Sequence, residues 1–520
     1  MPRYDSRRML NRSCFAIVLP LLFASAHAHA QTTHPATVHT LTIDFDTRFQ
    51  TIDHFAASDC WAMQKLGLWS EAKRNRVADL LFSTDKGIGL SMWRFNIGGG
   101  INTQTISDPF RTCETFEVEE GKYDWTRQRG ERWFLAAAKA RGVPKFLAFV
   151  NSPPGRMTRS GLTNAGKAGG GAIDGSTNLK EGYESQFARY VTDILQHFAT
   201  NEDESPRVAF DWISPVNEPA QAWDRGQEGN RAGNDDIKRI VRALHAELRG
   251  RGLPTRILVP ETQHVHDLTA PDRRAGERFG GATYGGYLED FSADADFAAM
   301  ISHTLAYHDY DSDGPDRLVS ARRRLRAELD RFPQWSCWQT EYCVTTNGHR
   351  RDLGMDTALA VARLMHVDLT VANASAWSWW LSVSPYDYKD GLIYTDWKKP
   401  GDEETVIESK LLWAFGNFSR FVRPGMTRVA VNGAEDDLEG LLTSAYHDQT
   451  SGRIIVVCIN MAREPKTVQL QLRGAPAPIG FVPYVTSAPD DENLKPHPRV
   501  RVDEAFEVGP RSVVTLVSSP

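Results

Sequence analysis

Cysteine is scarce in this chain, six residues in 520, and no two stand in a CxxC pair. That excludes a zinc ribbon or a dithiol redox motif. Apolar runs are short. The longest candidate, Phe15 to Ala26, falls below the roughly 20 residues a spanning helix needs. Long basic runs are missing too, and the formal net charge is −6, which argues against nucleic acid as a partner. The glycine run after the second apolar strand, Gly98-Gly99-Gly100, has neither a P-loop lysine nor GxGxxG spacing, so a tight loop is favoured over a phosphate cradle. No cofactor motif and no convincing metal set remain.

What the chain does have begins with a targeting pattern. Arg3, Arg7, Arg8 and Arg12 precede the apolar stretch, and Ala28-His29-Ala30 fits an A-x-A cleavage site. Residues 1–30 therefore read as a signal peptide, which predicts a secreted or periplasmic protein with no membrane attachment after cleavage. Ser6-Arg7-Arg8-Met9-Leu10 leaves twin-arginine export open beside the general route. Removing Cys14 leaves five cysteines, an odd number, so at least one thiol is free or pairs between molecules. Cys337 and Cys343 are too far apart along one extended strand to bridge. Cys60 and Cys113, both in loops after early strands, are open to pairing.

At 520 residues the chain is too long for one ordinary core, so a large domain and a smaller one are expected. Strand and helix patterns alternate eight times. The strands read as Phe55–Asp59, Leu90–Ile97, Lys145–Val150, Val208–Ile213, Arg256–Pro260, Met300–Tyr307, Trp335–Glu341 and Ala374–Leu381. Helices read as Glu71–Phe82, capped by Ser70, then Glu131–Arg141, Tyr183–Ala199, a helix from Asn234 as cap to Gly250, Asp316–Asp330 and Asp356–Thr370. A polar, glycine-rich stretch from Gly161 to Gly175 reads as a mobile loop. This alternation predicts an α/β fold, a (β/α)8 TIM barrel over residues 51–422. After a helix from Ser409 to about Phe421, Pro424-Gly425 marks a boundary. Short strands such as Ile454–Ile459, Thr467–Leu472 and Ser512–Val517 follow, predicting a side β-sandwich over residues 423–520. The alternating segment Thr37–Phe49, within residues 31–50, is expected to complete that sandwich.

Chemistry concentrates at two strand ends. Ser214-Pro215-Val216-Asn217-Glu218-Pro219 closes the fourth strand, and Pro219 stops the ladder. Cys337-Trp338-Gln339-Thr340-Glu341-Tyr342 closes the seventh. In a parallel barrel the carboxyl ends of the strands form the active face. Two glutamates there supply what a retaining glycosidase needs, one to donate a proton and one to attack carbon. A single strand-end glutamate is more often a plain surface residue; the matched pair reverses that judgement.

With both strands placed, the chain resembles glycoside hydrolase family 30 over nearly all of its mature length. The motifs that carry the resemblance are Trp93-Arg94-Phe95-Asn96, Ser214 to Pro219, His308-Asp309-Tyr310 and Gln339-Thr340-Glu341-Tyr342. The resemblance implies that Glu218 is the acid/base and Glu341 the nucleophile. It implies further that Asn217 contacts the sugar 2-hydroxyl, that Arg94 and Tyr310 lie beside the nucleophile, and that Trp380, ahead of Trp377, forms the sugar platform. Asn151 stands where the glucosylceramidase-like branch has a tryptophan, which makes glucosylceramide an unsuitable substrate. Asn151, Asp59 and His308 are the polar residues expected to read one sugar hydroxyl. The run as a whole is closest to the endo-β-1,6-galactanase-like branch, so a monomeric enzyme acting on polysaccharide is expected, with β-1,6-glucan and glucuronoxylan as alternatives.

Bland readings accompany these. Arg94 equally suits an ion pair that orients a glutamate, and Tyr310 suits a buried, satisfied tyrosine. Trp379 and Trp380 must face opposite sides of their strand. Two other classes compete: a metal-dependent hydrolase built on His264-Val265-His266, for which no complementary ligands are found, and a carbohydrate-binding protein without catalysis, against which both glutamates argue.

Overall fold

The computed structural model describes residues 37–166, 175–200, 206–224, 226–345, 350–397, 404–433, 437–474 and 478–519. The signal-peptide reading of residues 1–30 lies outside them, as does the centre of the loop read at Gly161–Gly175. Val38–Pro520 forms one compact unit.

Eight parallel strands pair in chain order around a ring. The first is His54–Ser58, followed by Met92–Asn96, Lys145–Phe149 and Trp212–Ser214. The fifth is in two pieces: Arg256–Ile257 pairs back to the fourth, and Val259–Thr262 pairs on to the sixth, Thr304–His308. Ser336–Glu341 is seventh, and Ala376–Ser384, the eighth, pairs with the first and closes the barrel. Long helices follow most strands, as right-handed crossovers require.

The interior of the barrel is filled by residues from strands that are not neighbours. Trp338 meets His54 edge to face at 4.5 Å and Trp212 at 4.6 Å. Strands one, four and seven reach each other only across the barrel axis, so these rings plug its lower half. Two residues further along, the inward side chains are Ser214 and Thr340, because strand side chains alternate. The polar layer that follows carries the chemistry.

Two strand boundaries differ from expectation. Asp294 caps a helix at Ala295–Met300 by accepting from the Phe297 amide at 3.0 Å, and Ser302 and His303 turn with positive φ. The sixth strand therefore starts at Thr304 rather than Met300. The fourth shortens to Trp212–Ser214, because the Asp211 carboxylate takes the Phe146 amide at 2.8 Å and ends the ladder there. Ser70 does not cap its helix; its amide donates to Glu404 at 2.8 Å. Gly233, not Asn234, is the cap of Asn234–Gly250. Ser409 does cap Lys410–Ser419, accepting from Leu412 at 3.1 Å.

The second sheet is a curled one of nine strands. Val38–Thr51 lies inside it, antiparallel to Thr427–Asn432 and parallel to Lys466–Arg473. One face encloses Leu41, Phe45, Val456, Leu470 and Leu516, making a side β-sandwich core. The opposite face of the middle strands, including Tyr446, Ile455, Val457 and Val513, joins the core of the barrel. That double burial explains why Ile454–Ile459 is continuously apolar. The Asn417 amide seals the junction, donating to the Tyr484 carbonyl and Thr515 hydroxyl at 3.0 Å each.

Behind the sixth strand, Arg322 is fully buried between Asp309 and Asp368, and its Nε donates to Asp368 at 2.8 Å. Replacing one partner of such a cluster leaves uncompensated buried charge. Arg322→Met is therefore expected to destabilise the fold by about 3–5 kcal/mol, measured as a lower denaturation midpoint with unchanged denaturant dependence.

Candidate active site

The site sits at the carboxyl ends of strands two, four, five, six and seven. Pro215 cannot extend the fourth strand, and the chain turns into Asn217-Glu218 with Glu218 at φ 42°. The Glu218 amide donates to the Glu261 carbonyl at 2.8 Å, and the Trp223 indole donates to the Glu218 carbonyl at 3.0 Å. Glu261 is itself left-handed, at φ 55°. Two strained residues held by their neighbours are the kind of backbone that functional sites retain.

Arg94 binds three elements together. It donates to Glu341 Oε2 at 2.6 Å and to Asn217 Oδ1 at 3.0 Å, and lies 3.7 Å from Glu261 Oε2. Its guanidinium rests on the Phe149 ring at 3.8 Å. His308 is fully buried among three carboxylates. Its Nδ1 lies 3.1 Å from Glu218 Oε1 and 3.6 Å from Glu341 Oε1, and its Nε2 lies 3.1 Å from Glu261 Oε2. The Tyr310 hydroxyl donates to Glu341 Oε1 at 3.1 Å. One carboxylate oxygen from each of Glu218 and Glu341 and one ring nitrogen of His308 all lie within 4.8 Å of one another.

These distances set the charges. Burial alone would push His308 down, but Glu341, Glu218 and Glu261 outweigh it and raise it to about 10. Burial would likewise push Glu261 up, yet Arg94 and His308, with the Ser214 hydroxyl, hold it down at about 2. Burial raises Glu341 above the ordinary carboxylate value, while His308 and Arg94 oppose the rise and favour its ionised form. The site thus carries its own positive charge, and chemically it can hold one carboxylate ready to attack beside another that trades a proton.

His264 and His266 are engaged within the protein. His264 Nδ1 lies 2.9 Å from the Tyr310 carbonyl oxygen, and His266 Nε2 lies 3.1 Å from Asp267. Among the described residues, no group of three potential ligands includes either histidine. The Cys60–Cys113 bridge left open above is absent: both are buried free thiols, and Cys113 donates to Glu131 at 3.4 Å.

A cavity of about 550 Å³ opens over the glutamates. Glu218, Glu341, Tyr310 and Trp380 line it. Arg94, Asn217 and His308 stand behind the glutamates. Trp377 is turned away, its indole donating to Asp368 at 2.8 Å, while Trp61 braces Trp380 edge to face at 5.2 Å. Asn151 does not line the cavity. Its amide reaches Asn96 at 3.3 Å and Glu228 at 3.5 Å.

Several residues escaped sequence reasoning. Glu261 is central, yet the expected fifth strand, Arg256–Pro260, stops one residue short of it. The signal was present: Ile257-Leu258-Val259-Pro260-Glu261 is a third apolar run that closes on a glutamate. Trp61, Trp223 and Arg111 also line the cavity from loops, and no period marks a loop residue. Glu228 is fully buried, accepting from Asn96 at 3.0 Å and from the Gly99 amide at 3.4 Å. A side chain at Gly98 would meet the Glu114 carbonyl at 2.4 Å, so this loop packs backbone to backbone.

Burial raises Glu228 to about 7. A carboxyl raised on folding contributes stability fully below its unfolded value near 4.3, and that stability is lost as pH rises through 7. Wild-type stability should therefore fall between pH 5 and pH 8. In Glu228→Gln that fall is expected to shrink by roughly 1–3 kcal/mol, read from chemical denaturation at each pH.

Comparison with known proteins identifies the family and the fold. The model of O-glycosyl hydrolase family 30 matches residues 38–394. An endo-β-1,6-galactanase of Hypocrea rufa is 24% identical over 481 residues, 86% of this chain and 85% of the relative. Among solved structures, a conserved exported protein from Bacteroides fragilis is 30% identical, with a TM-score of 0.80 over 92% of this chain and all of its own. The catalytic domain of a family 30 xylanase from Talaromyces cellulolyticus is 20% identical, with a TM-score of 0.66 over 92% of this chain and all of its own; it shares the fold.

Proposed function

The chain belongs to O-glycosyl hydrolase family 30 and acts on carbohydrate, and from that premise we propose that it is an exported, retaining endo-β-1,6-galactanase. One observation carries the mechanism: an oxygen of Glu218 and an oxygen of Glu341 lie within 4.8 Å of each other, and both residues line one cavity. Retaining enzymes place their carboxyls roughly 5–5.5 Å apart, and inverting ones roughly 6.5–9.5 Å apart, to admit a water.

Glu341 is the nucleophile. Arg94 and Tyr310 each donate to one of its oxygens, which fixes its direction and favours its charge. Glu218 protonates the departing oxygen and then draws a proton from the incoming water. Asn217 spends its carbonyl on Arg94, which leaves its NH2 for a sugar hydroxyl. Trp380 offers the apolar face for the ring.

The choice of galactan is supported by the Hypocrea rufa relative, similar over 86% of this chain. Export is supported by the amino-terminal pattern and by the exported Bacteroides fragilis protein, 30% identical.

Glu341→Ala is expected to lose activity on every substrate by roughly 10³-fold or more. Glu218→Ala should spare aryl glycosides with good leaving groups and recover with azide, giving a β-glycosyl azide. Near-native turnover in Glu341→Ala, or a first product of inverted anomer by NMR, would refute the assignment.

The substrate is tested on one panel of de-arabinosylated arabinogalactan, β-1,6-glucan and glucuronoxylan. Early release of mixed oligosaccharides from the galactan alone is expected. Cleavage of either other glycan with galactan untouched would replace the substrate and leave the mechanism standing.

A further inference from the structure

Glu261 is a fourth strand-end charge that neither step of hydrolysis consumes. It is fully buried and makes more polar contacts than either reacting glutamate. Ser214 donates to its Oε1 at 2.5 Å, and Thr340 donates to its Oε2. The same Oε2 lies 3.1 Å from His308 Nε2 and 3.7 Å from Arg94. With no exposed surface and both oxygens taken by neighbouring side chains, it does not reach substrate.

Charge counting gives it a purpose. With Glu218 protonated, the buried group holds two cations, Arg94 and His308, and two anions, Glu341 and Glu261. Glu341 then bonds to the anomeric carbon, the glycosidic C–O bond breaks, and the Glu218 proton leaves with the departing oxygen. Glu341 is now a neutral ester and Glu218 an anion, so the count is again two and two. In the second step water gives a proton to Glu218, its oxygen takes the anomeric carbon, and the ester electron pair returns to Glu341. The balance is restored.

We propose that Glu261 is the standing counter-anion of this site: by facing Arg94 and the far nitrogen of His308, it keeps the imidazole doubly protonated at every stage, so negative charge passes between Glu341 and Glu218 without a change in total charge. It is a positioning residue, acting through His308. The proposal rests on the roles assigned above to Glu218 and Glu341. A low-dielectric site penalises any step that alters its net charge, and a counter-ion fixed in advance avoids that penalty.

Among the described residues, the titratable groups that face His308 are these. Glu218, Glu261 and Glu341 approach from strands four, five and seven. Arg94 faces two of them from strand two, and the Tyr310 ring stands edge to face at 5.9 Å. Asp309 is turned outward to Arg322. His54, deeper in the barrel, is held neutral mainly by burial. With Glu341 esterified, Glu261 and Glu218 alone remain to hold the imidazole proton.

The test is NMR titration of the full-length protein labelled with 15N-histidine, with the His308 signals assigned by their loss in His308→Gln. Wild type should stay doubly protonated at pH 7.5. So should Glu341→Gln, whose neutral amide stands in for the ester. Glu261→Gln should be singly protonated at pH 7.5. The acidic limb of its kcat/KM profile should also move up by about one pH unit or more, because Glu341 loses the neighbouring cation that favours its ionised form. A doubly protonated imidazole in Glu261→Gln, or a singly protonated one in Glu341→Gln, would overturn the proposal. If Glu261→Gln does not fold, the Glu218→Gln/Glu341→Gln double variant decides, because there Glu261 is the one carboxylate of the three left facing the imidazole, and a singly protonated ring at pH 7.5 would overturn the proposal. The titration reads the imidazole and azide rescue reads the acid/base residue, so a wrong catalytic assignment and a wrong counter-anion give different results.

Discussion

A buried cation carries this structure. Arg94 is held between Glu341, Glu261 and Asn217, so one side chain ties strand two to strands five and seven and to the turn after strand four. Removing a guanidinium from water is costly, and the cost is recovered only where geometry is good and every charge is met. Stacking on Phe149 and hydrogen bonds from its two terminal nitrogens offset that cost, while its Nε is buried without a hydrogen-bond partner. The register of four strands is thereby linked to the placing of the two reacting carboxylates. A shift of one residue in any of them would turn a charge to the outer face, where apolar helices pack.

The barrel supports this layer from below and from behind. His54, Trp212 and Trp338 close the lower interior and keep water from the charged layer. Behind strand six, Asp309 is drawn outward by Arg322. That fixes the backbone between His308 and Tyr310, which point the other way toward the glutamates. The curled sheet adds a second brace. Its outer face completes the barrel core, and its inner face buries a core of its own.

The mouth is built on different terms. Its walls come from loops carrying Trp61, Arg111 and Trp223. Glu228 holds these loops together from within, accepting from Asn96 and Gly99 while its amide donates to the Arg111 carbonyl at 3.1 Å. Asn151 belongs to this support and touches Glu228 rather than the cavity. Any influence it has on which sugar binds must pass through the loop that Glu228 anchors.

The fold was largely legible in the chain. Eight strand and helix alternations predict the barrel, and the observed strands fall within a few residues of their expected places. Glu218 and Glu341 were legible as a pair, because a proline or a polar turn after an apolar strand marks its carboxyl end. The sixth strand starts four residues later than its apolar pattern predicts because Asp294 caps a helix inside that stretch, and local capping outweighs apolar character. Ser70 was expected to cap and instead meets Glu404, 334 residues away. Glu261 could be seen as a residue but not as a member of the site. Its meaning depends on Ser214, Thr340, His308 and Arg94 from four other strands, and only the closed ring brings them together. Sequence period determines which face a strand residue takes, because side chains alternate along one strand. What lies across the barrel axis is decided by closure and register, and these arise only when all eight strands have met.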